Sequence, residues 1–386
     1  MDAQTTPTHN TLWHKGFAAL SLANVLLTTA VYMMMAVAAG WLRSEPLSPF
    51  AKGCIMGAYG IGLFLLGPLC SFLVERYRRN HVCELAVASL AAFVWLFGLM
   101  HQNITSWNIP PAMFALVRMA VGAMFGLAQM VLSSTLVIDV CESFQRTCAN
   151  HATAWFGRIA LCLGPLMALL MGSYLPTVCP YWPMALLCVA AVVLIQMVPI
   201  PFRAPSDSYP HFSLDRFLLP ASWPLFLILA GFCTALGYSL TLPHPILFYL
   251  MMLVGVAGSM LERRMVSVDG HPRIAIAVGF IAMAGATLLA TSAATLSQCL
   301  SGLMTGFALG VAGSHLLTTF LNLSNHCQRG TSQSSYFLSW ETGVALGVFL
   351  SFGCPFAQTV ILTILAVALL SYLLLVYPWY VRHRVR

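Results

Sequence analysis

The sequence predicts an all-helical membrane protein with twelve transmembrane helices in two six-helix halves. Of its 386 residues, 59% are apolar and only 8% are charged, whereas an ordinary soluble domain has about 25% charged residues. A globule of this size could not cover so much apolar sequence, so lipid must be the solvent for most side chains. The apolar runs are about 20 residues long and do not alternate, which favours helices over the strands of a barrel.

Twelve apolar runs are long enough to cross a hydrocarbon core about 30 Å thick. They fall at 17–42, 53–74, 82–100, 111–141, 149–174, 180–200, 221–241, 245–262, 273–292, 296–323, 333–353 and 356–380. With a cytoplasmic N-terminus, fourteen Lys and Arg residues lie on the cytoplasmic side and only Arg43 and Lys52 lie outside. This split follows the positive-inside rule and predicts that both termini are cytoplasmic. The short loops suit a bacterial inner membrane, and we expect a monomer.

The stretch 201–220 is polar, contains several prolines and divides the chain near its middle. We interpret it as a cytoplasmic linker between an N-terminal bundle, residues 1–200, and a C-terminal bundle, residues 221–386. Short patterns also recur at matching places in both halves, which predicts a parallel duplication. Ser71 and Glu75-Arg76 at the end of helix 2 correspond to Gly258 and Glu262-Arg263 at the end of helix 8. Gly122 and Gly126 in helix 4 correspond to Gly306 and Gly310 in helix 10. Trp155 and Gly164 in helix 5 correspond to Trp340 and Gly347 in helix 11.

Several classes of protein are disfavoured by the composition. The net charge of +7 does not indicate nucleic-acid binding, because the basic residues form short clusters between apolar runs. The twelve cysteines show no metal-ligand spacing, and most lie inside apolar runs as small hydrophobes. No nucleotide-binding motif is present. We therefore expect no metal and no cofactor, and we expect a lipid bilayer and a small solute as the partners.

The overall layout of the chain resembles the major facilitator superfamily over nearly its whole length. The most informative local match is the loop after helix 2. There Ser71, Glu75-Arg76 and Arg78-Arg79-Asn80 are similar to that family's Gly-x-x-x-Asp-Arg-x-Gly-Arg-Arg motif. Arg118 with Gly122, and Gly164-Pro165, are similar to patterns on helices 4 and 5 of the family. The resemblance implies two bundles that rock about a central site and move a solute by alternating access.

Acidic and basic residues at the cytoplasmic ends of the helices are candidates for a gate. A small residue lets two helices approach closely, and the carboxylate that follows can meet an Arg or the positive end of a helix. Such a contact would hold one conformation and break in the other. The alternative is a positive-inside anchor with incidental acids. The candidate gate residues are Glu75, Arg76, Arg79, Asp139, Glu262 and Arg263.

Ionisable residues within a membrane span are costly and point to function. Arg158 on helix 5 and Glu341 on helix 11 are deep, at similar depths on helices that the duplication relates. Arg158 offers a planar fork of donors for a carboxylate or phosphate. A carboxyl group in a low-dielectric site holds its proton more tightly than in water, so Glu341 is the candidate to carry a coupling proton. The alternative is a buried pair or network that fixes packing between the halves.

Five other residues complete the candidate binding or coupling site. Arg118 lies in the outer part of helix 4, and His315 on helix 10 can relay a proton. Asn24 lies on helix 1, and in the fold that the chain resembles helices 1 and 10 line the central cavity. Trp155 and Trp340 lie within one turn of Arg158 and Glu341, where they could stack against a ring of the solute.

The sequence therefore predicts a secondary active transporter of a small solute, with a proton as the expected coupling ion. The substrate, the direction and the coupling ion stay open, because one fold carries many solutes. The alternatives are proton-driven efflux of amphipathic compounds, a polytopic membrane enzyme, and a receptor that keeps the fold without transport. An enzyme would need acid–base or metal residues gathered near one membrane surface, whereas the His and acidic residues are scattered.

Overall fold

A computed structural model describes residues 11–138, 140–175, 179–198, 210–265, 272–325 and 328–383, except for the side chains at 105–106, 134–138, 143 and 261–265. Each of the twelve predicted apolar runs coincides with a helix in this part of the chain. The helices are α1 (Lys15–Ser44), α2 (Pro49–Leu65, continued by Gly67–Leu69 and Cys70–Arg76), α3 (Arg79–Gln102), α4 (Pro111–Ile138), α5 (Arg146–Tyr174), α6 (Tyr181–Gln196), α7 (Trp223–Thr241), α8 (Ile246–Met265), α9 (Pro272–Leu289), α10 (Thr295–Asn322), α11 (Arg329–Gly353) and α12 (Ala357–Ser371, continued by Tyr372–Val376 and Tyr377–His383). The prediction of twelve helices is confirmed.

Proline sets the start of several helices. Pro49, Pro111 and Pro272 are the first residues of α2, α4 and α9. The missing N–H of proline costs little there, because the first N–H groups of a helix have no partner within it. At α2 the Ser48 hydroxyl also accepts a hydrogen bond from the Ala51 N–H at 3.2 Å, which caps the helix.

Helices α1–α6 and α7–α12 form two halves with the same internal packing. In the first half α1 packs against α5 and α6, α2 against α4, and α3 against α4 and α6. In the second half α7 packs against α11 and α12, α8 against α10, and α9 against α10 and α12. Each contact therefore recurs six helices later, as a parallel duplication predicts. The halves meet along α2 with α11 and along α5 with α8.

The protein is an integral membrane protein. Nine helices of the described residues are long and apolar enough to cross a membrane, and α6 and the apolar part of α8 are shorter. Helix α11 is long, but it falls outside this group because it carries many buried polar residues. The boundaries of the predicted linker stay a prediction, since 199–209 lie outside the described residues.

The bundle has two ends, a basic end and a far end. The basic end holds the connection between α2 and α3 and the starts of α5 and α11, with Arg76, Arg79, Arg146 and Arg329. The far end holds the connections that follow α1, α7 and α9.

Glycines at equivalent positions of the two halves allow close helix contacts. A Cβ atom at Gly122 on α4 would collide with the Tyr59 carbonyl on α2, and one at Gly306 on α10 would collide with the Met252 carbonyl on α8. Close backbone approach stabilises helix pairs in membranes through van der Waals packing. A Cβ atom at Gly258 would meet no described atom within 4 Å, so the expectation that this residue brings two helices together is wrong.

We expect Gly306→Ala to lower the thermal stability of the detergent-solubilised protein, because the new methyl group has no room against α8. Overpacking of this kind costs about 1–3 kcal/mol. Gly40→Ala on α1 is the matched control, since its Cβ would meet nothing within 4 Å and alanine favours a helix by about 1 kcal/mol. Scanning fluorimetry should give a lower melting temperature only for Gly306→Ala. Equal melting temperatures for the two variants would contradict the packing argument.

Candidate functional site

A polar cavity lies between the two halves, and α1, α4, α5 and α11 line it. Its volume is about 60 Å³, which is room for water or a very small group. Along each helix the lining side chains stand about one helical turn apart, so each helix turns one polar stripe towards the cavity. The polar lining residues are Asn24, Thr28 and Tyr32 on α1, Gln129 and Ser133 on α4, Thr153 and Arg158 on α5, and Gln333, Tyr336, Trp340 and Glu341 on α11.

The Arg158 guanidinium is buried and has only neutral partners. Its Nη1 donates to the Ser314 hydroxyl at 2.7 Å, and its Nη2 donates to the Tyr336 hydroxyl at 3.2 Å. The guanidinium carbon lies 5.0 Å from the centre of the Trp155 ring, and Nε has no hydrogen-bond partner. A buried charge normally has an ionic partner because desolvation is costly. The site is therefore electrostatically suited to an anion.

The Glu341 carboxylate is also buried, and two tyrosine hydroxyls donate to it. The Tyr32 hydroxyl lies 2.7 Å from Oε1, and the Tyr59 hydroxyl bonds to Oε2. Tyr32 and Tyr59 lie on α1 and α2 of the first half, whereas Glu341 lies on α11 of the second half. This one carboxylate therefore joins the two halves through two hydrogen bonds.

Arg158 and Glu341 line the same cavity without pairing with each other. Among the described residues, no ion pair within 4.0 Å involves either of them. Each charged group instead forms hydrogen bonds to two neutral hydroxyl groups. The two residues therefore do not form a buried ion pair with each other, whereas the bonds of Glu341 to Tyr32 and Tyr59 do form a network between the halves. Opposite charges in one cavity can hold an anionic group and a proton at separate places.

Side-chain amides form the wall of the cavity opposite α11. Gln129 Nε2 donates to Asn24 Oδ1 at 2.7 Å and to Thr28 Oγ1 at 2.8 Å. This network fixes the orientation of Asn24, which was a sequence candidate. Gln333 lies on the other side, and its buried Oε1 has no hydrogen-bond partner. The cavity thus offers neutral donors and acceptors beside its two charges.

The other sequence candidates lie at different distances from this cavity. Trp340 lines it, whereas Trp155 lies beneath the Arg158 guanidinium and packs towards Gly310. His315 follows Ser314 on α10 and does not line the cavity. Sequence position places these residues at the right depth, but the rotation of each helix decides which side chain faces inward.

Arg118 is fully buried in the first half and does not line the cavity. Its Nη2 lies 3.5 Å from the Met56 carbonyl, and its guanidinium carbon lies 5.6 Å from the Tyr59 ring centre. Since Tyr59 donates to Glu341, Arg118 is connected to the candidate site through this tyrosine. It is not placed to touch a solute in this conformation.

The segment 210–219, which precedes α7, lies across α2 and α11 at the basic end, and we name it the strap. The Arg216 N–H donates to the Thr331 hydroxyl at 3.0 Å, and the Leu219 N–H donates to the Ser335 hydroxyl at 2.7 Å. Arg216 has a φ of 59°, a conformation that non-glycine residues adopt only when their surroundings hold it. The strap is therefore fixed to α11 by specific bonds.

The predicted gate residue Glu75 binds the strap. Its Oε1 accepts a hydrogen bond from Arg216 Nη2 at 3.0 Å and lies 3.9 Å from Arg79 Nη2. Arg76 ends the last turn of α2 beside this cluster. Asp139 and the side chains of Glu262 and Arg263 lie outside the described residues.

Sequence reasoning missed several residues of the site. Sequence reasoning did not single out Tyr32, Gln129 and Tyr336. Each of them stands about one helical turn from another polar lining residue: Tyr32 from Thr28, Gln129 from Ser133, and Tyr336 from Gln333 and Trp340. The signal that finds them is a run of polar side chains at a spacing of three or four within an apolar helix. Arg216 and Tyr59 carry no such signal, because their partners are distant in sequence.

In the described residues, no group of three His, Cys, Asp or Glu side chains could hold a metal ion. No family model matches the chain, and no curated protein matches it in sequence.

Solved structures match the chain in fold. The human organic anion transporter MFSD10 (TETRAN) has a TM-score of 0.66 at 15% identity, over 92% of this chain and 98% of its own. An auto-inhibited peptide transporter of the POT family has a TM-score of 0.65 at 13% identity, over 97% and 98%. A bacterial homologue of the human lysosomal transporter Spinster has a TM-score of 0.65 at 13% identity, over 98% and 99%. The chain therefore has the twelve-helix fold of the major facilitator superfamily.

Proposed function

We propose that the chain is a secondary active transporter that moves a small anionic solute by alternating access and couples it to a proton at Glu341. The observation that carries the proposal is a single buried cavity in which Arg158 and Glu341 have only neutral partners among the described residues. Two of the similar structures are, by name, an organic anion transporter and a peptide transporter, which supports the class of function.

The anion proposal rests on the unpaired charge of Arg158. A guanidinium can bind a carboxylate or phosphate through two parallel hydrogen bonds, which are stronger than bonds to neutral groups. The Nε of Arg158 has no partner, and Nη2 has only the longer bond of 3.2 Å to Tyr336. Nε and Nη2 lie on the same edge of the planar guanidinium group. A solute carboxylate could therefore accept two hydrogen bonds from Arg158 while displacing only the weak bond to Tyr336.

The coupling proposal rests on the two bonds between the halves at Glu341. An ionised carboxylate only accepts hydrogen bonds, whereas a protonated one also carries an O–H donor. Protonation would therefore place a donor on one of the two oxygens and weaken or reverse the bond that Tyr32 or Tyr59 donates to it. Because both tyrosines belong to the first half and Glu341 to the second, the charge of one carboxyl group would alter the contact between the halves. This is the property that a proton-coupled rocking motion needs.

The strap is proposed to close the cavity from the basic end. We expect Arg216→Ala to favour the conformation that opens there, because it removes the bond to Glu75 and leaves the backbone bond to Thr331. The readout is alkylation of Ser334→Cys, at a buried position of α11, by an impermeant maleimide. The rate should rise about threefold, as expected for loss of roughly 0.7 kcal/mol from a partly exposed ion pair.

Arg78→Ala is the control for this measurement, since Arg78 is an exposed arginine at the same end. It should leave the alkylation rate of Ser334→Cys unchanged. Equal rates in Arg216→Ala and in the parent chain would exclude the strap as a closing element.

We further propose that the basic end faces the cytoplasm of a bacterial cell, with the chain as a monomer in the inner membrane and both termini inside. The excess of Lys and Arg at that end supports this orientation. We propose residues 201–220 as the linker between the two bundles.

A second candidate function is proton-driven efflux of amphipathic compounds. An apolar groove of about 960 Å³ lies between α2, α4 and α11, and Ile61, Leu116 and Leu346 on its walls are exposed. A groove of this size can hold an apolar molecule that enters from the lipid. A membrane enzyme is not proposed, because Arg158 and Glu341 lie within spans rather than at one surface.

A ligand screen by thermal shift tests the proposed function. Organic acids, sugars, peptides, nucleosides and hydrophobic cations are added to the purified chain at two pH values, since a ligand of the folded state raises its apparent stability. Stabilisation by acids that is lost in Arg158→Ala would support an anionic solute. Stabilisation by acids that persists in Arg158→Ala would contradict it. Stabilisation by hydrophobic cations alone would favour efflux, with Glu341 as their counter-charge.

A further inference from the structure

A second cavity, the far-end vestibule, lies at the end of the bundle opposite the strap. Its volume is about 790 Å³, against about 60 Å³ for the central cavity. Drug-sized ligands occupy cavities of about 300–1,000 Å³. Residues of α1, α5, α7, α8 and α10 line it, together with the connections that follow α7 and α9. In this conformation the vestibule is large enough for an organic molecule, whereas the central cavity is not.

The lining of the vestibule has one positive charge and no acidic residue. Arg43 lies in the last turn of α1, and it is the only Lys, Arg, Asp or Glu among the lining residues. Glu45 lies nearby, but it is not part of the lining, and its carboxylate accepts a hydrogen bond from Trp41 Nε1 at 2.7 Å. No ion pair of Arg43 is present among the described residues.

His244 lines the same cavity and is neutral at neutral pH. Its Nδ1 lies 2.7 Å from Gln298 Oε1, and its Nε2 lies 3.3 Å from the Ser239 hydroxyl. Its ring stacks on Phe248 with the centroids 3.7 Å apart. Burial lowers the pKa of His244 to about 4, so the imidazole carries a charge only in strongly acidic solution. Arg43 therefore sets the charge of the vestibule.

The remaining walls are mostly apolar. They include Pro165, Leu169, Leu240 and the ring of Tyr249. Such walls bury an apolar body, while one fixed cation selects the charge of its head group. The chemistry of the vestibule thus matches a molecule with an apolar body and one carboxylate.

We propose that the far-end vestibule is a second binding site, which takes small amphipathic carboxylates and uses Arg43 to select them over cations and neutral analogues. The site is separate from the central cavity, because the two share no lining residue. Tyr32 in the central cavity precedes Arg43 by eleven residues of α1, which is roughly 16 Å along a helix. Anion selection in the vestibule does not depend on Arg158 and is therefore independent of the proposed transport function.

The test measures the charge that a reagent meets inside the vestibule. Ala293→Cys places a thiol on an exposed lining position. Its modification is followed by peptide mass spectrometry with an anionic sulfonatoethyl and a cationic trimethylammonioethyl methanethiosulfonate at low salt. We expect the anionic-to-cationic rate ratio to fall about threefold or more when Arg43→Gln is added. Arg43→Lys should keep most of the ratio.

Lys52→Gln is the matched control, because Lys52 is a cation of the far end that does not line the vestibule. It should leave the rate ratio unchanged. An unchanged ratio in Arg43→Gln, or an equal fall in Lys52→Gln, would overturn the proposal.

Protection of the same thiol tests binding. Benzoate should slow the modification of Ala293→Cys, whereas benzyl alcohol and benzyltrimethylammonium should not. The protection should be lost in Arg43→Gln and kept in Lys52→Gln and in Arg158→Ala. Equal protection by the three compounds, or none by benzoate, would overturn the site. Loss in Arg158→Ala would instead assign the anion to the central cavity.

Discussion

Glu341→Gln should abolish the accumulation of solute that a proton gradient drives, while it leaves exchange of solute across the membrane within about threefold of the parent chain. Glutamine cannot take up or release the proton, so the gradient can no longer act on the contact between the halves. It retains an oxygen that can accept one of the tyrosine hydroxyls. The measurement is uptake into proteoliposomes with an acidic exterior, beside counterflow at equal pH, and a tenfold or greater loss is expected only in the first.

Two further variants separate coupling from simple folding at this site. Tyr32→Phe removes the 2.7 Å bond to Glu341 and leaves the carboxyl group able to titrate, so gradient-driven uptake should persist with an altered pH dependence. Glu84→Gln on α3 alters an acid at the basic end that pairs with His81, and it should change neither assay. If Glu341→Gln reduced counterflow as strongly as accumulation, Glu341 would have a binding or structural role instead.

Arg158→Lys should weaken the binding of an anionic solute by about 10- to 100-fold, although the charge is kept. Lysine has no planar fork, so it cannot offer two parallel bonds to a carboxylate. The ammonium group also cannot occupy the positions of both Nη atoms, which bond to Ser314 and Tyr336. Loss of one hydrogen bond to a charged group costs about 1.5–3 kcal/mol, which agrees with the expected change in Kd.

Ser314→Ala is the matched control for this effect. It removes the 2.7 Å partner of Nη1 but leaves the edge formed by Nε and Nη2 intact, so the affinity should fall by less than about tenfold. Isothermal titration with the acid found in the ligand screen gives both values. An unchanged Kd in Arg158→Lys would exclude Arg158 as the anion-binding group.

The fold could be predicted from the sequence because lipid leaves few choices. Backbone groups in hydrocarbon must pair within the same segment, so each apolar run of sufficient length becomes a helix. The positions of the Lys and Arg residues predict how the spans alternate in direction. The repeated glycines predict the duplication of the two halves. These features are local or periodic, and a single sequence displays them directly.

The candidate site could be predicted only in part. Arg158 and Glu341 stand out because a charge within a span is costly. Their partners could not be predicted, because Tyr32 and Tyr59 are separated from Glu341 by 309 and 282 residues. Arg118 is equally conspicuous in the sequence, yet the rotation of α4 turns it away from the cavity.

The strap shows a further limit of sequence reasoning. Arg216 counts towards the positive charge of the predicted cytoplasmic side, and that role explains its presence fully. Its bond to Glu75 and its φ of 59° depend on how α2 and α11 lie side by side. A basic residue that follows the positive-inside rule can therefore also bind a specific partner, and the rule does not identify that partner.

The polar character of α11 has a consequence for synthesis of the protein in the cell. A helix with Gln333, Ser334, Ser335 and Glu341 partitions poorly from the translocon into lipid by itself, since an acid at the centre of a span costs about 3 kcal/mol. Its neighbour α12 has a mean hydropathy of 2.7 and inserts readily. The partners that satisfy Glu341 lie on α1 and α2, which leave the ribosome first. We therefore expect helix α11 to insert more readily when the first half is already in place to receive Glu341, so the carboxylate that joins the halves would also favour one order of assembly.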